Sequence, residues 1–138
     1  MSIYKGIYKG YPLPKGVIIS AVEIPSDIKY IYEESFIDRK ALETVIIPES
    51  VISIEKKAFY GCESLKSIVL PSNLQEIGQS AFSRCKSLTT IEIPGSVKKI
   101  STWAFNNCKN LKTVILHEGI ENIAGHAFEG SRRYSRKI

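Results

Sequence analysis

The chain has little of what catalytic, metal-binding or membrane-spanning proteins need. Its 138 residues include only two histidines, three cysteines and one tryptophan. The sequence has no Gly-rich phosphate loop, no metal-spaced set of carboxylates and no N-glycosylation sequon. No apolar run approaches the ~20 residues of a membrane-spanning helix. The N-terminus lacks the apolar core of a signal peptide. As written, the sequence predicts a soluble intracellular protein without a membrane span, a metal or a cofactor.

The few histidines and cysteines also lack the partner residues that a catalytic site, a zinc site or a disulfide would require. No motif ties a nucleophile or an acid to His117 or His126, so we predict no catalytic residue. Cys62, Cys85 and Cys108 follow one another at intervals of 23 residues. A zinc site would need four ligands and usually a Cys-x-x-Cys pair. Stacked side chains ~5 Å apart point the same way, whereas a disulfide needs convergent Cβ atoms at ~3.8 Å. We expect this column of cysteines to be buried core.

The chain does have a strict repeat of 23 residues. Two columns show it without interruption, one of phenylalanine (Phe36, Phe59, Phe82, Phe105, Phe128) and one of isoleucine (Ile31, Ile54, Ile77, Ile100, Ile123). A fixed period of this length is the signature of a solenoid. Five strand halves, at 19–25, 42–48, 65–71, 88–94 and 111–116, have apolar residues at positions one, four and six, as half-buried strands should. After each, apolar residues spaced by three and four, as in 58–62, predict a single helical or 3₁₀ turn.

The repeated pattern Ile-Pro-x-Ser-Val-x-x-Ile-x-x-x-Ala-Phe-x-x-Cys-x-x-Leu-x-x-Ile resembles the BspA-type class of leucine-rich repeats. The resemblance covers residues 19 to about 134. It implies an α/β fold: a right-handed leucine-rich-repeat solenoid of about five repeats, with a parallel β-sheet on the concave face and short strands and helical or 3₁₀ turns on the return side. It implies no enzyme and no cofactor. Relatives are commonly surface-exposed or secreted proteins used in adhesion and protein recognition. Arg39 and Ser131 stand where the central copies have cysteine, so the terminal repeats are degenerate.

The repeats suggest one domain of 138 residues in three parts. Residues 1–18 are predicted to form an N-terminal cap or a flexible tail, and 19–130 form the repeats. Residues 131–138 form a basic end that we expect to be solvated. The formal charge is +5, which favours acidic partners without identifying one.

The outward side chains of the strand halves are the first candidate site. Alternation along each strand places them together on the concave sheet, and we call them the concave row: Thr44, Ile46, Ser67, Val69, Thr90, Glu92, Thr113 and Ile115. On one interpretation, β-branched residues are here only because they form good strands. On the other, three aliphatic residues around one carboxylate form a protein-binding surface. The second interpretation predicts a non-catalytic module for adhesion or protein–protein interaction.

Two alternative functions rest on other residues. Lys40, Lys86, Lys109 and Arg132 are spaced by 23 or 46 residues, and this basic column could follow a polyanion such as a nucleic acid or an acidic glycan. It lacks the interleaved aromatic residues that single-strand binders use, so the sequence favours a protein partner over a nucleic acid. In the second alternative, a structural self-assembling unit, Tyr134 marks an unfinished last repeat, whose open end would be covered by a second copy in a homo-oligomer. Trp103 is expected to be exposed on the convex side.

Overall fold

The computed structural model describes residues 18–131 and 135–137, and in them the repeats stack as a coil of short parallel strands. Strands one repeat apart pair in parallel, so that Ile31 lies opposite Ile54 and Thr90 opposite Thr113. The predicted solenoid is therefore confirmed. The described residues contain ten strands: β1 (Ala21–Glu23), β2 (Tyr30–Ile31), β3 (Thr44–Ile46), β4 (Ser53–Ile54), β5 (Glu76–Ile77), β6 (Thr90–Ile93), β7 (Lys99–Ile100), β8 (Thr113–Leu116), β9 (Asn122–Ile123) and β10 (Ser135–Lys137).

The strands form three sheets on two sides of the coil. The two-residue strands of the return side make one continuous sheet, in the order β2-β4-β5-β7-β9. The longer strands of the concave side are divided between a pair, β1-β3, and a triplet, β10-β8-β6. The prediction of one concave sheet is thus met only in part, because the strand half 65–71 forms no strand.

The segment 65–70 is held by side chains instead of a backbone ladder. Its burial pattern matches that of 88–93, with inward and outward residues at the same positions. At its start the Ser64 hydroxyl donates to the Lys40 carbonyl at 2.5 Å. Just after it, the Ser72 amide donates to Glu49 Oε2 at 2.9 Å. Packing of the inward side chains and these two anchors keep the segment in place without strand pairing.

The return turn is not helical, so the expected helical or 3₁₀ turn at 58–62 and its equivalents is not confirmed; the described residues contain no helix. Successive backbone amides along this turn donate alternately to a carbonyl of the same repeat and to a carbonyl of the next repeat. The Ala58 amide donates to Glu55 O, three residues back, at 3.1 Å, whereas the Phe59 amide donates to Ala81 O of the next repeat at 2.8 Å. Half of the amides are therefore committed to the neighbouring coil, which a helix would not allow.

Backbone dihedral angles explain why the turn departs from a helix. Lys57 has φ of 56° and Gly61, four residues later, has φ of 74°. Left-handed residues at both ends interrupt a right-handed helix before it completes a turn. The same two positions have positive φ in the other repeats, at Glu34 and Asp38, Ser80 and Arg84, Trp103 and Asn107, and His126 and Gly130.

The core between the two sides is one continuous apolar column. The five phenylalanine rings stack with centroids 5.1–5.2 Å apart and nearly parallel planes. Beside them the three cysteines are fully buried and unpaired. The Cys85 thiol donates to Phe59 O at 3.3 Å, and Cys62 and Cys108 make the equivalent bonds. The predicted role of the cysteines as core residues is confirmed.

Parts of the predicted ends fall outside this description. Of the cap or tail at 1–18, only Ile18 is described, and it is exposed. Arg132 and Tyr134 also lie outside the described residues. At the C-terminus, Ser135–Lys137 forms β10 and pairs with β8, so this part of the basic end is hydrogen-bonded to the solenoid instead of forming a free tail.

Candidate functional site

The concave row lies on the strands and on the unpaired segment between them. Ile46 and Val69 are its most exposed apolar members, with 56% and 81% of their surface accessible. Thr44, Ser67, Thr90 and Glu92 are also exposed, whereas Thr113 and Ile115 are half-buried. The exposed apolar part of the row is therefore centred on two neighbouring repeats rather than three.

Glu23 belongs to the same row, although the sequence reasoning did not include it. It is exposed and pairs with Ile46 across β1 and β3. Its spacing of 23 residues from Ile46 could have placed it in the concave row from the sequence alone. Along the row, two carboxylates, Glu23 and Glu92, thus bracket the aliphatic pair Ile46 and Val69.

The break in the concave sheet opens the core slightly beside Val69. Within the described residues, the backbone of 66–70 makes no hydrogen bond to either neighbouring repeat. The inward side chains of Ile68 and Leu70 keep 7% and 8% of their surface accessible, whereas Ile91 and Ile93 of β6 keep 1% and 0%. On the other side of the break, Val45 of β3 and Ile47 directly after it keep 6% and 9%, so inward apolar side chains on both sides of the break are slightly accessible to solvent.

A groove of about 590 Å³ lies at this break. One wall is the unpaired segment and the other is the end of β6 with the turn after it. Among the described residues the lining contains no lysine or arginine: Ser67, Ile68, Val69, Leu70, Ser72, Thr90, Glu92, Pro94, Gly95 and His117. We call this the concave groove.

Two carboxylates are associated with the concave groove. Glu92 Oε2 lies 2.6 Å from His117 Nε2, and both side chains are exposed. Glu49 Oε2 accepts hydrogen bonds from the Ser72 amide at 2.9 Å and the Ser72 hydroxyl at 2.6 Å. These bonds lower the pKa of the Glu49 carboxyl, because they stabilise its charged form. Sequence reasoning missed Glu49 and His117, since neither lies in the outward row of a strand.

The basic column is partly neutralised. Lys86 forms an ion pair with Glu63 at 3.2 Å, and this contact lowers the pKa of the Glu63 carboxyl. Lys40 and Lys109 are exposed and make no ion pair within the described part of the chain. Lys86 and Lys109 line a second groove of about 460 Å³ together with Asn110, Gly130 and Ser131.

Neither histidine lies in a catalytic arrangement. His117 contacts Glu92, and His126 Nδ1 lies 3.0 Å from Glu129 Oε2 on the exposed return side. The three thiols are buried away from both. No three metal-ligating side chains converge among residues 18–131, and the described chain contains no helix that could cross a membrane. Trp103 is exposed, as expected, at one of the positions of positive φ.

Known proteins resemble the chain over most of its length. The BspA type leucine-rich repeat region matches residues 15–135 in six copies. The pneumococcal vaccine antigen PcpA is 32% identical with a TM-score of 0.76, and the match covers 96% of this chain and 32% of that protein. A T. pallidum leucine-rich repeat protein is 30% identical with a TM-score of 0.69, and the match covers 86% of this chain and 60% of that protein. A leucine-rich repeat protein of Bacteroides capillosus is 32% identical with a TM-score of 0.64, and the match covers 72% of this chain and 78% of that protein. The chain thus spans about a third of the pneumococcal antigen. No curated protein is significantly similar to it.

Proposed function

Because the chain belongs to the BspA-type leucine-rich repeat family, we propose that it recognises a protein partner through the concave row, as a binding module for adhesion or another protein–protein interaction. The family is generally non-catalytic, and its repeats support protein interaction. The observation that carries the proposal is the exposed pair Ile46 and Val69 on adjoining repeats, beside the concave groove. Neighbouring exposed aliphatic side chains of this kind favour association with another apolar surface.

The contribution of this pair to binding follows from its exposure. Full burial of a valine or isoleucine side chain stabilises an assembly by about 1.5–3 kcal/mol. With 56% and 81% of their surface still accessible, Ile46 and Val69 would together contribute about 3 kcal/mol when covered. Replacing both by serine should raise the partner's Kd by about 100-fold. Stability should change little, because both side chains are largely solvent-exposed already.

The proposal is tested by capture on immobilised protein at low and high salt, with identification of what is retained. The variant Ile46→Ser/Val69→Ser is compared with a matched control, Tyr30→Ser/Tyr32→Ser, which removes exposed apolar surface from the return side. A protein retained at both salt concentrations, kept by the control and lost with the concave variant supports recognition through the concave row. A partner retained equally by all three forms would contradict it.

Polyanion binding is the second candidate, favoured by the groove between Lys86 and Lys109. Contacts to phosphate or sulfate groups weaken steeply with salt. In the same experiment, this function predicts a nucleic acid or an acidic glycan that is captured only at low salt and is indifferent to Ile46→Ser/Val69→Ser. Lys109→Gln would then reduce capture, and the ion pair of Lys86 with Glu63 makes Lys109 the more informative of the two lysines.

A further inference from the structure

The concave groove combines an apolar floor with acidic positions, which restricts the chemistry of what it can bind. Val69 projects into solvent at its edge, and Ile68 and Leu70 remain partly accessible beneath it. Contact with an aliphatic or aromatic group would bury these side chains and add favourable binding free energy. A purely polar ligand would not provide this contribution.

Among the described residues, each of the two carboxylates is contacted through only one oxygen. Glu92 contacts His117 through Oε2, and Glu49 accepts both hydrogen bonds of Ser72 through Oε2. Within the described residues, Oε1 of each carboxylate has no partner. The bonds from Ser72 lower the pKa of Glu49, so its carboxylate is charged at neutral pH. Glu92 lines the groove, and Glu49 is bonded to Ser72, which lines it too.

This local charge is opposite to the charge of the whole molecule. The chain carries a formal charge of +5, so the overall electrostatic field of the protein does not attract a basic ligand. Such a ligand is attracted only locally, where a carboxylate lacks neighbouring lysine or arginine, as Glu92 does within the described lining of the concave groove. A preference for cationic ligands that Glu92→Gln removes would therefore point to this groove rather than to general electrostatic attraction.

We propose that the concave groove binds a short segment of a partner protein in which aliphatic or aromatic side chains adjoin lysine or arginine. The apolar side chains cover Val69 and the accessible edges of Ile68 and Leu70. The cations contact Oε1 of Glu92 and of Glu49, where charge-assisted hydrogen bonds add affinity and orientation. This inference rests on the proposed function and specifies the class of partner that the concave row selects.

The test uses two fluorescently labelled hexapeptides and the full chain, with binding followed by fluorescence anisotropy. Both peptides have a central Leu-Phe pair; one flanks it with lysines and the other with glutamates. The lysine peptide should bind, and the glutamate peptide should bind at least about tenfold more weakly, because like charges across an interface are repelled. Glu92→Gln and Glu49→Gln should each weaken binding of the lysine peptide by roughly 3- to 10-fold. Val69→Ser should also weaken it.

The matched control is Glu121→Gln, which removes an exposed carboxylate just before β9 on the return side and should leave peptide binding unchanged. Equal binding of both peptides, or equal losses from Glu121→Gln and Glu92→Gln, would overturn the inference.

The capture experiment separates this inference from the proposed function. If the lysine peptide fails to bind while a protein is still captured and lost with Ile46→Ser/Val69→Ser, the inference is wrong and the proposed function stands. If capture is indifferent to that variant, the proposed function is wrong, and the inference that rests on it is wrong as well.

Discussion

The buried cysteines should make the stability of the protein depend on alkaline pH. Burial raises the pKa of Cys62 and Cys108 from 9.0 to about 12 and raises that of Cys85 well above 9.0. A group whose pKa is higher in the folded state stabilises the fold fully below its unfolded pKa, and this stabilisation is lost as the pH rises towards the folded value. The affected window therefore runs upward from about pH 9.

The magnitude follows from the two pKa values. At about pH 10 a thiol with a pKa of 9.0 in the unfolded chain is mostly ionised, whereas a thiol with a pKa of about 12 is not. The folded state then loses roughly 1–2 kcal/mol per cysteine relative to pH 8. Cys62 and Cys108 together account for about 3 kcal/mol, a large share of the 5–15 kcal/mol typical of a domain, and Cys85 adds a third loss of the same sign.

The assay is urea denaturation of the wild type and of Cys62→Ala/Cys85→Ala/Cys108→Ala at both pH values. The wild type should lose about 3 kcal/mol or more of its unfolding free energy in excess of any loss by the variant. Equal losses would refute the reasoning. If the variant is too unstable to measure, thiolate absorbance of the native wild type decides the question: ionisation of the native thiols near pH 9 would equally refute it.

Two further predictions concern the packing of the solenoid, and both are checked by urea denaturation. Phe82→Ala should cost about 4 kcal/mol and Phe128→Ala about half as much, because Phe82 is fully buried between the rings of Phe59 and Phe105 whereas Phe128 is only half-buried; similar costs would show that burial of the ring does not set the cost. Gly78→Ala should destabilise by about 1–3 kcal/mol, since a Cβ there would lie 2.8 Å from backbone atoms of Glu55 and Lys56. Gly125→Ala, with no atom within 4 Å of the added Cβ, should be close to neutral, and a neutral Gly78→Ala would mean that the coils separate easily.

Periodicity predicted the fold well because each repeat has the same environment as its neighbours. The columns of Phe59 and Ile54 are buried in the structure as their 23-residue spacing requires, since side chains in equivalent positions of stacked coils occupy one column. The helical or 3₁₀ turn predicted for the return side was not confirmed, because the apolar spacing there does not distinguish two kinds of backbone. Spacings of three and four are shared by a helix and by consecutive β-turns, and the positive φ of Lys57 has no signature in a non-glycine residue.

The candidate site was predicted less completely. Alternation along the strands predicted Ile46 and Val69, and the structure has both exposed. The concave groove could not be predicted, because the strand half 65–71 has the same apolar pattern as 88–94 and nevertheless lacks a ladder. Glu49 lies in a turn and His117 directly follows β8, and outside the strands no periodic rule states which way a side chain points.

The sequence by itself determined the repeat length, the stacked core and the absence of any recognisable catalytic or metal-binding motif. These properties depend on residue type and spacing alone, because stacking at a constant period converts one repeat into a column. Only the tertiary structure decided where the concave sheet breaks, which carboxylates adjoin the resulting groove and how far Val69 projects from it. Those features depend on backbone hydrogen bonds and side-chain contacts between repeats, and small differences between otherwise equivalent copies determine them.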